Sequence, residues 1–196
     1  MMVLDYAENG SLRNYLDKEY DKLSWNNKSS NLWRIAYVLS EIHAKELIHR
    51  DLHIGNILSF PVTRITDMGL CRPADYNKLE NTNKNKIYGV LPYIAPEILR
   101  GQNYTKAADV YSFGIIMYEV FSGLPPYHDV SHDKILAMKI CLGFRPRFNI
   151  KVPQLIVHLI KSCLDANPLN RPTANELCNI LHPWYYNYDI FVSAFS

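Results

Sequence analysis

Asp51, Asn56 and Asp67 are the side chains whose types and spacing could do chemistry together. Asp51 and Asn56 lie in a non-helical link between a long helical pattern and a short β-like run, and Asp67 follows a second such run. The runs, residues 57–60 (ILSF) and 63–66 (TRIT), are separated by Pro61-Val62 and read as a hairpin. The base of a hairpin brings its flanking residues together, so Asn56 and Asp67 are expected side by side. Asp and Asn both offer hard oxygen ligands, which suit Mg²⁺. Asp51, a separate carboxylate nearby, could accept a hydroxyl proton, a role worth roughly 10²–10⁴-fold in rate. One loop acid usually caps a turn or faces solvent. Three such residues tied together by one hairpin point to a site.

The elements that must position them are mostly helical. Ser11 can cap a helix carrying Leu12, Tyr15 and Leu16 on one face. Residues 24–30 are polar and read as a loop, after which Leu32, Ile35, Leu39 and Ile42 mark a long amphipathic helix ending near Lys45. Apolar periodicity vanishes over residues 71–86, which read as a surface loop. Residues 107–121 are apolar on nearly every side, the pattern of a central buried helix, and Gly123 and Pro125-Pro126 end it. Three more helices follow. One contains Ile135, Met138 and Leu142 and stops at Gly143. One starts after Pro153 with Leu155, Leu159 and Cys163. One opens on the capping-box pair Thr173 and Glu176 and runs to about Leu181. Residues 184–196 are rich in aromatics and show no period. The expected fold is mainly α with a small β hairpin.

The 196 residues suffice for one domain, and 48% hydrophobic with 20% charged residues is ordinary globular composition. A net charge of +2 argues for neither nucleic acid nor a membrane surface. No run approaches the roughly 18 apolar residues of a spanning helix, and the first ten residues lack the basic start of a signal peptide. Cys71, Cys141, Cys163 and Cys178 form no CxxC pair and read as reduced thiols of a cytoplasmic protein.

The motifs around the three residues resemble those of eukaryotic protein kinases. Residues 49–56, HRDLHIGN, are similar to the catalytic loop H-R-D-x-x-x-x-N. Asp67-Met68-Gly69 resembles D-F-G with Met for Phe, and Ala95-Pro96-Glu97 matches A-P-E. Residues 109–114 (DVYSFG) resemble the start of the family's central helix, and residues 170–173 (NRPT) its last arginine element. The resemblance runs over residues 4–182 in order, and implies a kinase-like fold represented by the large carboxyl-terminal lobe, with the small lobe absent. It divides the chain into a hinge remnant (1–10), the lobe (11–182, with the activation segment at 67–97) and a tail of unknown role (183–196). It implies ATP and Mg²⁺ as cofactors and a protein as substrate, Asp51 as catalytic base, and Asn56 and Asp67 as metal ligands. It implies that the hinge backbone at Asp5 and Ala7 bonds adenine over Leu58. It also implies that Arg50 pairs with a phosphate or acidic group on the mobile loop, that Glu97 and Arg171 form a structural ion pair, and that Asp109 accepts catalytic-loop amides.

Three departures qualify the resemblance. His53 stands where serine/threonine kinases usually have lysine, and is either a weaker aid to phosphate transfer or a plain surface histidine. Val90 stands where they have threonine. The eight glycines include no G-x-G-x-x-G, and no V-A-I-K-like lysine precedes Asp51. Tyr93 resembles the serine/threonine type, and Cys163-Leu164 with Arg171-Pro172-Thr173 the tyrosine-kinase-like branch. The expectation is a kinase acting on protein Ser/Thr, with Tyr open, that is inactive as these residues alone. Its exposed cleft would be covered by a small lobe or a partner. The alternative is a kinase-derived scaffold that binds without transferring phosphate. A third reading, a small-molecule phosphotransferase, draws on the D-x-H-x-x-N spacing of Asp51, His53 and Asn56. Whether Thr82 or Tyr88 is phosphorylated is left open.

Overall fold

Ser11 opens helix α1 (Leu12–Glu19), its hydroxyl accepting the Asn14 amide proton at 3.3 Å. The computed structural model describes residues 10–58, 63–76, 87–148 and 152–186. Leu4, Asp5 and Ala7, Thr82, and the tail from residue 187 lie outside the described residues.

The polar stretch 24–30 is helix, not the loop expected. Ser24 accepts the Asn27 amide at 3.1 Å and starts α2 (Trp25–Ala44) there. Polarity misled because Lys28 and Ser29 are buried. The Lys28 ammonium lies 3.7 Å from the centre of the Tyr20 ring, so a cation–π contact stands where an apolar face was sought.

Among the described residues four two-residue strands follow, β1 (Leu47–Ile48), β2 (Ile57–Leu58), β3 (Arg64–Ile65) and β4 (Arg72–Pro73). The hairpin pairs Ile57 with Ile65 and Leu58 with Arg64. The second ribbon pairs Leu47 with Pro73 and Ile48 with Arg72, so the loop expected over residues 71–86 contains strand at its start. The pairings are nested: β1 with β4 outside, β2 with β3 inside. The links 49–56 and 66–71 are therefore held face to face.

Helix α3 (Pro96–Leu99) is one turn. Helix α4 (Lys106–Ser122) is capped by Thr105, and every residue from Ala108 to Ser122 is buried. It ends at Gly123, whose φ of 73° is the left-handed stop that glycine makes without strain. Gly114 lets α4 approach α6 (Gln154–Cys163), since a Cβ there would stand 2.7 Å from that of Cys163. In α6 the buried positions are Ile156, Leu159, Ile160 and Cys163, with Leu155 half exposed.

Helix α5 (Lys134–Cys141) buries Leu136 and Ile140, whereas Ile135, Met138 and Leu142 are exposed at 55%, 57% and 88%. The residues that mark this helix in the sequence point outward, because which of its two apolar stripes is buried is settled by its contact with α3. Helix α7 (Ala174–Tyr186) starts on the capping box, Thr173 N–H to Glu176 Oε2 at 2.7 Å and Glu176 N–H to Thr173 Oγ1 at 3.2 Å. It passes the expected end at Leu181 and includes Pro183, because Leu177, Leu181 and Trp184 continue one buried face at helical spacing. Helix α7 packs along α2, and α4 lies between α2 and α6. Among the described residues no helix is long and apolar enough to cross a membrane.

Candidate active site

Asp109, buried in the first turn of α4, organises the 49–56 link. Its Oδ2 accepts the His49 amide at 2.8 Å and its Oδ1 the Arg50 amide at 3.0 Å. His43 on α2 completes it, with Nε2 at 2.9 Å from Oδ2. The sequence reading missed His43, although a histidine on the inner face of an amphipathic helix near a buried acid was the available signal. These bonds keep Arg50 at φ 71°, a left-handed conformation that costs a non-glycine residue about 1–2 kcal/mol.

The two links meet as the nested ribbons require. The Asn56 carbonyl accepts the Thr66 amide at 2.8 Å and the Thr66 hydroxyl at 3.0 Å, while His49 Nε2 lies 3.0 Å from the Thr66 carbonyl oxygen. Asp67, next in the chain and exposed, is left-handed at φ 58° with its Oδ1 accepting the Gly69 amide at 3.4 Å. Asn56 Nδ2 donates to the Asp51 carbonyl at 3.0 Å and reaches Asp51 Oδ2 at 3.4 Å. That use of its amide nitrogen leaves the Asn56 Oδ1 as an oxygen donor.

The Asn56 Oδ1 and the Asp67 carboxylate are hard oxygens of the kind Mg²⁺ takes. Mg²⁺ prefers one or two protein oxygens, with phosphates and water completing its octahedron. Among the described residues no group of three His, Cys, Asp or Glu side chains could hold a metal by itself. Leu58, expected beneath an adenine ring, is partly buried and bridges to Ser11.

Arg50 is enclosed by aromatic rings. Its guanidinium carbon lies 5.0 Å from the ring centres of Tyr76 and Tyr88 and 4.8 Å from that of Tyr104, within cation–π range. Tyr104 closes the cage, its hydroxyl accepting the Tyr88 amide at 2.8 Å and donating to the Tyr88 carbonyl at 2.5 Å. Tyr93 is anchored separately. Its hydroxyl donates to Glu119, which also accepts from Arg13. Burial raises the Glu119 pKa above the usual carboxylate range, against both hydrogen bonds. Arg171 and Glu97 are both buried and meet at 2.7 Å.

The comparisons agree with this architecture. The family model described as "Protein tyrosine and serine/threonine kinase" matches residues 1–181, and the chain belongs to that family. A "Probable serine/threonine-protein kinase" of Dictyostelium discoideum is 32% identical over 91% of this chain and 11% of its own length. A second from the same organism is 30% identical over 92% of this chain and 19% of its own. An "Inactive tyrosine-protein kinase" of Caenorhabditis elegans is 32% identical over 92% of this chain and 21% of its own. The chain therefore spans only about a tenth to a fifth of these relatives' length.

Proposed function

We propose that these residues form the substrate-side wall of a protein kinase catalytic domain that moves the γ-phosphate of ATP to serine or threonine hydroxyls of proteins. The observation that carries this reading is the junction of Asp51, Asn56 and Asp67 through Asn56 Nδ2 and the Asn56–Thr66 pairing. ATP with Mg²⁺ supplies the transferable phosphoryl group and the charge that stabilises it. Asn56 and Asp67 would hold the metal through their side-chain oxygens. Asp51 orients the substrate hydroxyl and takes up its proton as the hydroxyl oxygen bonds to the γ-phosphorus and the bond from that phosphorus to the β,γ-bridging oxygen breaks, ADP leaving with the electron pair. Asp109 and His43 keep the link rigid, and Arg50 ties it to Tyr76 and Tyr88 of the activation segment. The serine/threonine assignment leans on the names of the relatives and on Tyr93. All four cysteines are free, which suits a cytoplasmic protein.

The test joins these residues to the ATP-gripping small lobe of a related kinase. There Asp51→Asn lowers turnover roughly 10²–10⁴-fold with ATP binding nearly unchanged. Turnover within twofold of the parent removes Asp51 from the role. The scaffold reading is favoured by one observation, the inactive kinase among the relatives. Under it the same fusion binds partners and shows no Asp51-dependent transfer.

A further inference from the structure

His53 stands in the catalytic link where a cation serving the phosphate is expected, yet its ring is built inward. Its Nδ1 accepts the Gly55 amide proton at 3.1 Å, capping the single 3-10 turn of Ile54–Asn56. An accepting nitrogen carries no proton, so the neutral ring must carry its hydrogen on Nε2. That nitrogen faces Asp51 Oδ1 at 3.7 Å. Burial lowers the His53 pKa below its ordinary value, in the same sense as the accepted Gly55 amide.

Two further observations make this placement specific. Asp51 Oδ1 is itself buried and, among the described residues, has no hydrogen-bond partner. It is enclosed from behind by Gly89, where a Cβ would come within 3.3 Å of it. The ring is seated just as closely. A Cβ on Gly55 would stand 2.9 Å from both Nδ1 and Cε1 of His53, and the Tyr93 ring lies 5.9 Å away on centres. His53 Nε2 thus faces the unbonded Oδ1, and Oδ2, beside Asn56 Nδ2, is the oxygen left for a substrate hydroxyl.

We propose that His53 is a positioning residue: held as the Nε2–H tautomer by the Gly55 amide, it fixes Asp51 through Oδ1 so that Oδ2 meets the substrate. The separation is longer than a hydrogen bond, and such contacts commonly tighten when substrate binds. A fixed carboxylate matters because misplacement by about 1 Å costs on the order of 10²-fold in rate. The inference rests on the kinase reading of Asp51 for its consequence, but not for its geometry.

Two measurements separate these. In the 196-residue chain labelled with ¹⁵N-histidine, His53 at pH 7.5 shows a bare Nδ1 and a protonated Nε2. The signal is assigned by its loss in His53→Gln, and the preference weakens in Gly55→Ala. An Nδ1–H ring, or the averaged signal of a free imidazole, overturns the proposal. In the small-lobe fusion, His53→Asn keeps an acceptor for Gly55 but loses the reach to Asp51, whereas His53→Gln keeps the reach and loses the cap. The expected result is kcat lowered about 10–100-fold in His53→Asn with KM for ATP within twofold, and largely restored in His53→Gln. Full activity in His53→Asn shows a cap only, and a raised KM for ATP shows a role at the phosphates. Either overturns the proposal. If Asp51→Asn is itself silent, the kinase reading fails while the ¹⁵N result still decides the geometry.

Discussion

Arg171 reaches Glu97 across 74 residues of sequence and holds both carboxylate oxygens, Nη1 on Oε1 and Nη2 on Oε2, each at 2.7 Å. Its Nε donates to the Asp165 carbonyl and its Nη1 also to the Ala107 carbonyl, both at 2.9 Å. One guanidinium thereby joins α3, the start of α4 and the turn before α7. Bidentate pairing of this kind needs the planar fork of arginine.

Removing one partner leaves a buried charge unpaired. Glu97→Ala or Arg171→Ala should lose about 3–5 kcal/mol of stability. Arg171→Lys should recover only part, because an ammonium cannot grip two oxygens and two carbonyls in that plane. Urea unfolding midpoints of the three variants measure this, and a loss below about 1 kcal/mol for either alanine variant would place the pair among weak surface bridges.

The tyrosine cage predicts how Tyr88 responds to one lost oxygen. Tyr104→Phe keeps the ring over Arg50 and removes both bonds to the Tyr88 backbone. At about 1 kcal/mol per hydrogen bond, amide exchange at Tyr88 should quicken by roughly tenfold or more while exchange within α4 stays unchanged. Equal acceleration in both places would mean the variant had loosened the whole domain.

Cys163 sits at the contact of α6 with Gly114, fully buried, and burial pushes its thiol pKa up to about 12. Since the thiolate is the reacting form, iodoacetamide at pH 8 should leave Cys163 unmodified in the folded chain. Cys71, Cys141 and Cys178, all partly exposed, should label first. Peptide mass mapping reads the order, and prompt labelling of Cys163 would contradict the close packing of α4 on α6.

The 196 residues assayed by themselves should show no Asp51-dependent transfer from labelled ATP to generic protein substrates. Phosphoryl transfer rests on positioning and charge stabilisation, and Asp51, Asn56 and Asp67 supply one side of that arrangement. Met68, Ile87 and Val90 are each more than 40% exposed and offer apolar surface to a covering lobe or partner. Transfer that disappears in Asp51→Asn would show that one side is enough.

What the sequence determined by itself lies within a few turns of chain. Ser11 and the Thr173–Glu176 box start helices through bonds to residues three positions on, and the all-round apolar character of α4 leaves it no place but the centre. Residues 57–58 and 64–65 pair around a short connection, so the meeting of Asn56 with the strand before Asp67 was legible. The tertiary structure decided what depends on groups far apart in sequence. Whether Lys28 is exposed depends on Tyr20, and which stripe of α5 is buried depends on α3. The enclosure of Arg50 needs tyrosines at 76, 88 and 104, and the inward turn of His53 needs the missing side chain of Gly55 with the ring of Tyr93. Periodicity and caps are written in local bonds. The direction of a long or aromatic side chain is settled by which neighbours packing brings within about 4–6 Å, and no local spacing specifies them.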